Sequence, residues 1–136
     1  MPERTADFES TTRVYWEDTD AGGVVFYANY LKFFERARTE WLRTLGFGQE
    51  RLRTEGHVMF VVTDTSVRYL KPARLDDLLR ITVHRSETTR ASMTLDQQAW
   101  RDDVLLSEGR IRIACVAAGT FSPCRIPTPL LDAMAR

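Results

Sequence analysis

The chain has 136 residues, nineteen Lys and Arg against nineteen Asp and Glu, 43% hydrophobic and 28% charged residues. That length suits one domain, and the composition is that of a packed globular protein, not a disordered one. Zero net charge excludes a nucleic-acid binder working by bulk phosphate attraction and a polybasic membrane anchor. Residues 1–136 therefore read as a single domain, with a core from about residue 10 to about residue 120 and a Pro-containing C-terminal tail.

Met1 to Glu9 mix Glu3, Arg4, Asp7 and Glu9 with small side chains, so no secretory leader is expected. No run of about 18 apolar residues occurs, so no membrane span is expected and the expected address is the cytoplasm. Thr12 to Trp16 reads as a short strand. From about Asn29 to Leu45, the residues Tyr30, Phe34, Ala37, Trp41 and Leu45 recur at three- and four-residue steps, the period of an amphipathic helix. Leu31, Phe33 and Leu42 widen the apolar stripe; Lys32, Glu35, Arg36, Arg38, Glu40 and Arg43 fill the polar remainder. Gly46 supplies a stop, and Gly46-Phe47-Gly48 fits a helix end better than a dinucleotide fingerprint, since Arg51 stands where the third Gly belongs.

Beyond the helix the period changes to two. Val61 to Tyr69, Leu79 to His84, Ala91 to Ala99 and Ile111 to Cys115 each alternate, with a break at Lys71-Pro72-Ala73 and a turn at Arg101-Asp102-Asp103. Short turns between long strands require antiparallel pairing. Pro123, Pro127 and Pro129 break the tail. The expected architecture is α+β: one long helix covered by a curved antiparallel sheet of about five strands. So small a sheet leaves open edges, and pairing one with a second copy of the chain would close it, so a homo-oligomer is expected.

Two histidines and two cysteines are too few for a His-rich or paired Cys-x-x-Cys metal site, and no metal or cofactor is expected. Cys115 and Cys124 read as reduced thiols ahead of a redox pair. His84 falls on the polar side of its strand and reads as solvated. A calcium loop counted from Asp18 fails, because Gly22 and Asn29 stand where ligands belong.

The informative stretch runs from Arg13 through Asp18-Thr19-Asp20-Ala21-Gly22-Gly23-Val24-Val25-Phe26-Tyr27-Ala28-Asn29 to Tyr30, between the first strand and the long helix. Gly22-Gly23 suggests a sharp turn delivering an acid beside the helix start, whose first N–H groups lack intrahelical acceptors and can hold an anion or oxyanion. A carboxylate facing such donors is a minimal arrangement for acyl transfer. Asp-Thr-Asp before a helix also serves ordinary turn and cap chemistry, and both readings fit the residues.

At these residues the sequence resembles the 4-hydroxybenzoyl-CoA thioesterase family of the hotdog fold, and within it the acyl-CoA thioesterases associated with the Tol-Pal system. Arg13-Val14, Thr19-Asp20, Gly23-Val24-Val25 and Tyr30 fill the signature; similarity runs through Leu31 to Glu40 and reappears from Val67-Arg68-Tyr69 to Asp77. The resemblance implies a hotdog subunit, five or six antiparallel strands wrapped around a central helix, assembled as a homodimer or dimer-of-dimers tetramer with sites between subunits. It implies hydrolysis of a fatty or aromatic acyl-CoA, with Asp20 as the catalytic carboxylate and the Tyr27 backbone N–H polarising the thioester carbonyl. Family members with His at the Tyr27 position exist, so an imidazole role does not transfer.

Substrate contacts implied by the same resemblance are Gly23, Val24, Phe26, Phe60 and Val61 around the acyl group, with Arg90 and Ser92 toward the phosphates. Arg makes up seventeen of the nineteen basic residues and suits bidentate phosphate contacts. A thiol with a pKa of about 8.5 leaves without a strong general acid, and a carboxylate of ordinary pKa, about 3.9, is ionised but a weak base, which favours direct attack over water activation. Three alternatives stay open: Glu35 or Glu40 on the helix as the carboxylate, a hotdog dehydratase, which Tyr27 in place of His opposes, and a non-catalytic acyl-CoA or acyl-carrier-protein scaffold or sensor. Acyl carrier protein as a partner and peripheral attachment to the inner membrane through a partner are left open by the sequence.

Overall fold

The structure is a computed structural model and describes residues 6–135. The period-two segments form β1 (Phe8–Arg13), β2 (Val58–Tyr69), β3 (Leu78–Thr88), β4 (Ser92–Arg101) and β5 (Val104–Ala117). They pair antiparallel in the order β1-β3-β4-β5-β2, leaving β1 and β2 as edges. Helix α1 (Asn29–Thr44) lies on one face of this sheet.

Alternation decides which face is buried. Leu79, Ile81 and Val83, Met93 and Leu95, Ile111, Ile113 and Cys115 all point inward, where they meet Tyr30, Phe33, Phe34, Ala37, Trp41 and Leu42 of α1. Each such side chain contributes about 1.5–3 kcal/mol by leaving water. Phe34 of the helix packs closely over Gly109 of the sheet, where an added Cβ would stand 3.0 Å from Phe34 Cε2.

Several elements differ from the sequence reading. The first strand lies at Phe8–Arg13, ahead of the expected Thr12 to Trp16; its inward residues Phe8, Ser10 and Thr12 include one apolar side chain, too weak a signal to read. Beyond Arg13 the chain leaves the sheet, as Val14 N–H donates to Asp77 O and Val14 O accepts from Asp76 N–H. Two further helices occur, α2 (Gln49–Glu55) and α3 (Thr128–Met134), each too short to be stable alone and each held by buried residues: Leu52 in α2, Leu130 and Met134 in α3. Pro129 sits in the first turn of α3, where its missing N–H costs nothing.

Arg38, expected on the polar side of the helix, is buried; its Nη1 donates to Gln97 Oε1 (3.0 Å), and Gln97 Nε2 donates to Phe34 O (3.0 Å). Burial pushes the Arg38 guanidinium down from its ordinary pKa. His84 is half-buried, with Nδ1 3.8 Å from Asp7 Oδ2, so it is not the solvated histidine expected.

Cys115 and Cys124 are free thiols with sulfurs 3.6 Å apart. Burial, together with the Cys124 neighbour, pushes the Cys115 thiol up to about 12. The native protein should therefore expose one fast-reacting thiol, Cys124, to a chromogenic disulfide reagent at pH 8, and both only after unfolding. Two equally fast thiols in the native state would contradict this packing.

Candidate active site

The segment from Tyr15 to Tyr30 folds as two nested turns, each governed by one aspartate. Asp18 is buried, 6% exposed, in a single 3-10 turn at Trp16–Asp18. Its Oδ2 accepts from Tyr15 N–H (2.9 Å) and its Oδ1 from Asn29 Nδ2 (2.8 Å), and its carbonyl accepts from Phe26 N–H (2.9 Å). This aspartate ties the end of the first strand segment to the first residue of α1.

Asp20 is exposed and does different work. Its N–H donates to Val24 O (2.9 Å), its O accepts from Gly23 N–H (3.1 Å), and its Oδ1 accepts from Gly22 N–H (2.8 Å). Gly23 has φ +79°, a left-handed conformation that favours glycine, and this reverses the chain so that Thr19 bridges Val25. Val25 N–H then donates to Ala73 O (2.8 Å), anchoring the turn to the loop after β2. Among the described residues, Asp20 Oδ2 has no donor.

The helix start follows from the same turn. Phe26 O accepts from Asn29 N–H (2.8 Å), and Leu31 N–H donates to Ala28 O (3.1 Å). In a trans peptide the N–H points opposite to the C=O, so with the Phe26 carbonyl turned into the helix, the Tyr27 N–H points out of it. That N–H meets no acceptor among the described residues, and the positive end of the α1 dipole lies behind it.

Asp20 and Tyr27 line one open cleft of about 320 Å³ with Val24, Val25, Tyr30, Tyr69, Leu70, Lys71 and Pro72. Tyr27, Tyr30 and Tyr69 form an aromatic wall: the Tyr69 ring meets Tyr30 at 5.5 Å and Tyr27 at 6.3 Å, both edge-on. Burial raises the Tyr30 and Tyr69 hydroxyls above their ordinary pKa, so both remain protonated at neutral pH. A smaller pocket on the outer sheet face, beside His84, has charges already engaged, Glu108 with Arg68 and Asp96 with Arg110. No group of three or more His, Cys, Asp or Glu among the described residues is arranged to hold a metal ion.

The structure thus gathers Asp20, Val24 and Tyr27 at one cleft. Gly23 shapes the turn, and Phe26 packs its ring 4.9 Å from that of Tyr27. The other expected contacts lie elsewhere in the chain. Phe60 and Val61 sit at the far end of β2, about 30 Å and about 26 Å along the strand from Tyr69 at roughly 3.3 Å per residue. Val61 and Ser92 share the partner Ala114, so Ser92, and Arg90 in the hairpin beside it, belong to that same far end. Glu35 and Glu40 are exposed on α1 and do not line the cleft; Glu40 pairs with Arg43 one turn along. Sequence reasoning missed Asp18 as the buried tie and Tyr69 as part of the wall, since nothing in Asp-Thr-Asp marks which acid is buried.

A long helix laid across a five-stranded antiparallel sheet, with a carboxylate turn entering its N-terminus, defines a hotdog subunit. Residues 22–108 match the Thioesterase superfamily, and the chain belongs to that family. It is 46% identical over 120 residues to the acyl-CoA thioesterase YbgC of Haemophilus influenzae, covering 88% of each chain. It is 41% identical over 128 residues to the acyl-CoA thioester hydrolase YbgC of Escherichia coli O157:H7, covering 93% of this chain and 95% of that one. Among solved structures, a probable thioesterase from Bartonella henselae superposes with a TM-score of 0.84 at 35% identity, over 88% of this chain and 98% of that one.

Proposed function

We propose that this protein hydrolyses acyl-CoA thioesters at the cleft between Asp20 and the start of α1. The observation that carries the reading is an exposed carboxylate, one oxygen uncommitted, sharing a cleft with Tyr27, whose N–H at the helix N-terminus meets no acceptor among the described residues. The names of the relatives support the substrate class. Tyr27 N–H holds the thioester oxygen as it becomes an oxyanion. Asp20 Oδ2 attacks the carbonyl carbon, and the C–S electron pair leaves with the sulfur as CoA thiolate, a good leaving group at a thiol pKa of about 8.5. Water then cleaves the acyl–aspartyl anhydride, releasing the free acid and restoring the carboxylate. Exposure of Asp20 supports direct attack, since a solvated carboxylate is a weak base.

In this reading two copies pair through the open edge of β2, where Val62 is 52% exposed. Antiparallel pairing about the middle of β2 sets the Val61 of a second copy about three residues from Tyr69, so the far-end group of Phe60, Val61, Arg90 and Ser92 serves the neighbour's cleft. The tetramer and the Tol-Pal association belong to the same reading through the sequence resemblance, the cytoplasmic address belongs to it through the leader-free, span-free sequence pattern, and acyl carrier protein is an alternative carrier of the same acyl group. Thiol release by the purified protein should be measured on short, long and aromatic acyl-CoAs. Turnover of at least one class is the expected result. No release from any class would leave the scaffold or sensor, and an enoyl product from 3-hydroxyacyl-CoA would replace hydrolysis with dehydration.

A further inference from the structure

We infer that Tyr69 is a positioning residue whose hydroxyl fixes the peptide on the far side of Tyr27 and so keeps the Tyr27 N–H aimed into the cleft. The inference rests on the reading of the cleft given above. Tyr69 Oη donates to Tyr27 O at 2.8 Å, joining residues 42 apart in the chain. Tyr27 precedes the N-cap Ala28, so its carbonyl lies outside the helix and takes no intrahelical donor; Leu31 N–H donates to Ala28 O, and the Tyr27 carbonyl is left to the tyrosine. Tyr27 is therefore held on both sides: the 26–27 peptide by Asn29 N–H at Phe26 O, the 27–28 peptide by Tyr69.

The anchor is itself rigid. Tyr69 ends β2, paired with Ser107 of β5, and its ring is braced edge-on by Tyr30, whose Oη accepts from Ala73 N–H at 3.2 Å. An oxyanion donor stabilises the transition state only when it is in place before the charge develops, so freeing one side of Tyr27 lowers turnover more than substrate binding.

Tyr69→Phe keeps the ring and removes the bond. Its kcat should fall about tenfold with KM changed less than twofold. A second readout separates positioning from packing: the infrared carbonyl stretch of an acyl-CoA labelled with carbon-13 at the thioester, bound to Asp20→Asn. The band should move to lower frequency on binding, and the move should shrink when Tyr69→Phe is added. An inactive Asp20→Asn beside a Tyr69→Phe enzyme with unchanged kcat and unchanged band overturns this inference alone. Near-wild-type hydrolysis by Asp20→Asn overturns the cleft reading and this inference with it.

Discussion

Replacing Asp20 by Asn should abolish thiol release, by about 10³-fold or more in kcat, while the protein melts within a few degrees of wild type. The two halves of this expectation come from the two oxygens. Oδ1 is an acceptor for Gly22 N–H, a role the Asn carbonyl oxygen can fill, so the turn survives. The other oxygen, Oδ2, becomes an amide NH2, which neither attacks a carbonyl nor takes a proton from water. Thiol release and thermal melting on the same preparation test both halves. An active Asn variant would mean that Asp20 serves only its turn.

Asp18, two residues earlier, should behave in the opposite way. Asp18→Ala removes the acceptor of Tyr15 N–H and of Asn29 Nδ2 in a buried setting, and should cost about 3 kcal/mol, roughly 10 °C in melting temperature. Asp18→Asn should not rescue it fully, because the new NH2 must face either the Tyr15 N–H or the Asn29 amide, donor against donor. The same Asp→Asn change thus separates the pair: at position 20 it takes activity and spares stability, at position 18 it takes stability. Melting the three single variants side by side would show the contrast, and a stable Asp18→Ala would refute the role of the buried tie.

The parts of this molecule legible in sequence were those set by local period. The 3.6-residue stripe of Tyr30, Phe34, Ala37 and Trp41 located α1, and strict alternation located β3, β4 and β5, because in both cases burial of one face is decided by neighbours a few residues away. The Gly22-Gly23 turn and the helix start were also local, but the roles given to Asp20 and Tyr27 came from the family resemblance, since an acid before a helix serves turn chemistry equally well. What stayed hidden depends on contacts distant in sequence. Asp18 and Asp20 look alike until the fold buries one under Asn29. Tyr69 reaches Tyr27 only after β2 has been set beside β5. Arg38 is buried because Gln97 of another element receives it. The helices α2 and α3 draw their stability from packing, so seven residues of sequence gave no periodic signal.

The close seat of Phe34 on Gly109 bears on where the proposed hydrolase would read the length of an acyl tail. With Phe33, Phe34, Leu95 and Ile111 all shut away from solvent, and even a methyl group at Gly109 requiring Phe34 to shift, the packed interior offers the proposed acyl substrate no ready space. Any preference for long or short tails must be written on the rim, among Tyr27, Tyr69, Leu70 and whatever abuts them, where side chains can vary without disturbing the fold.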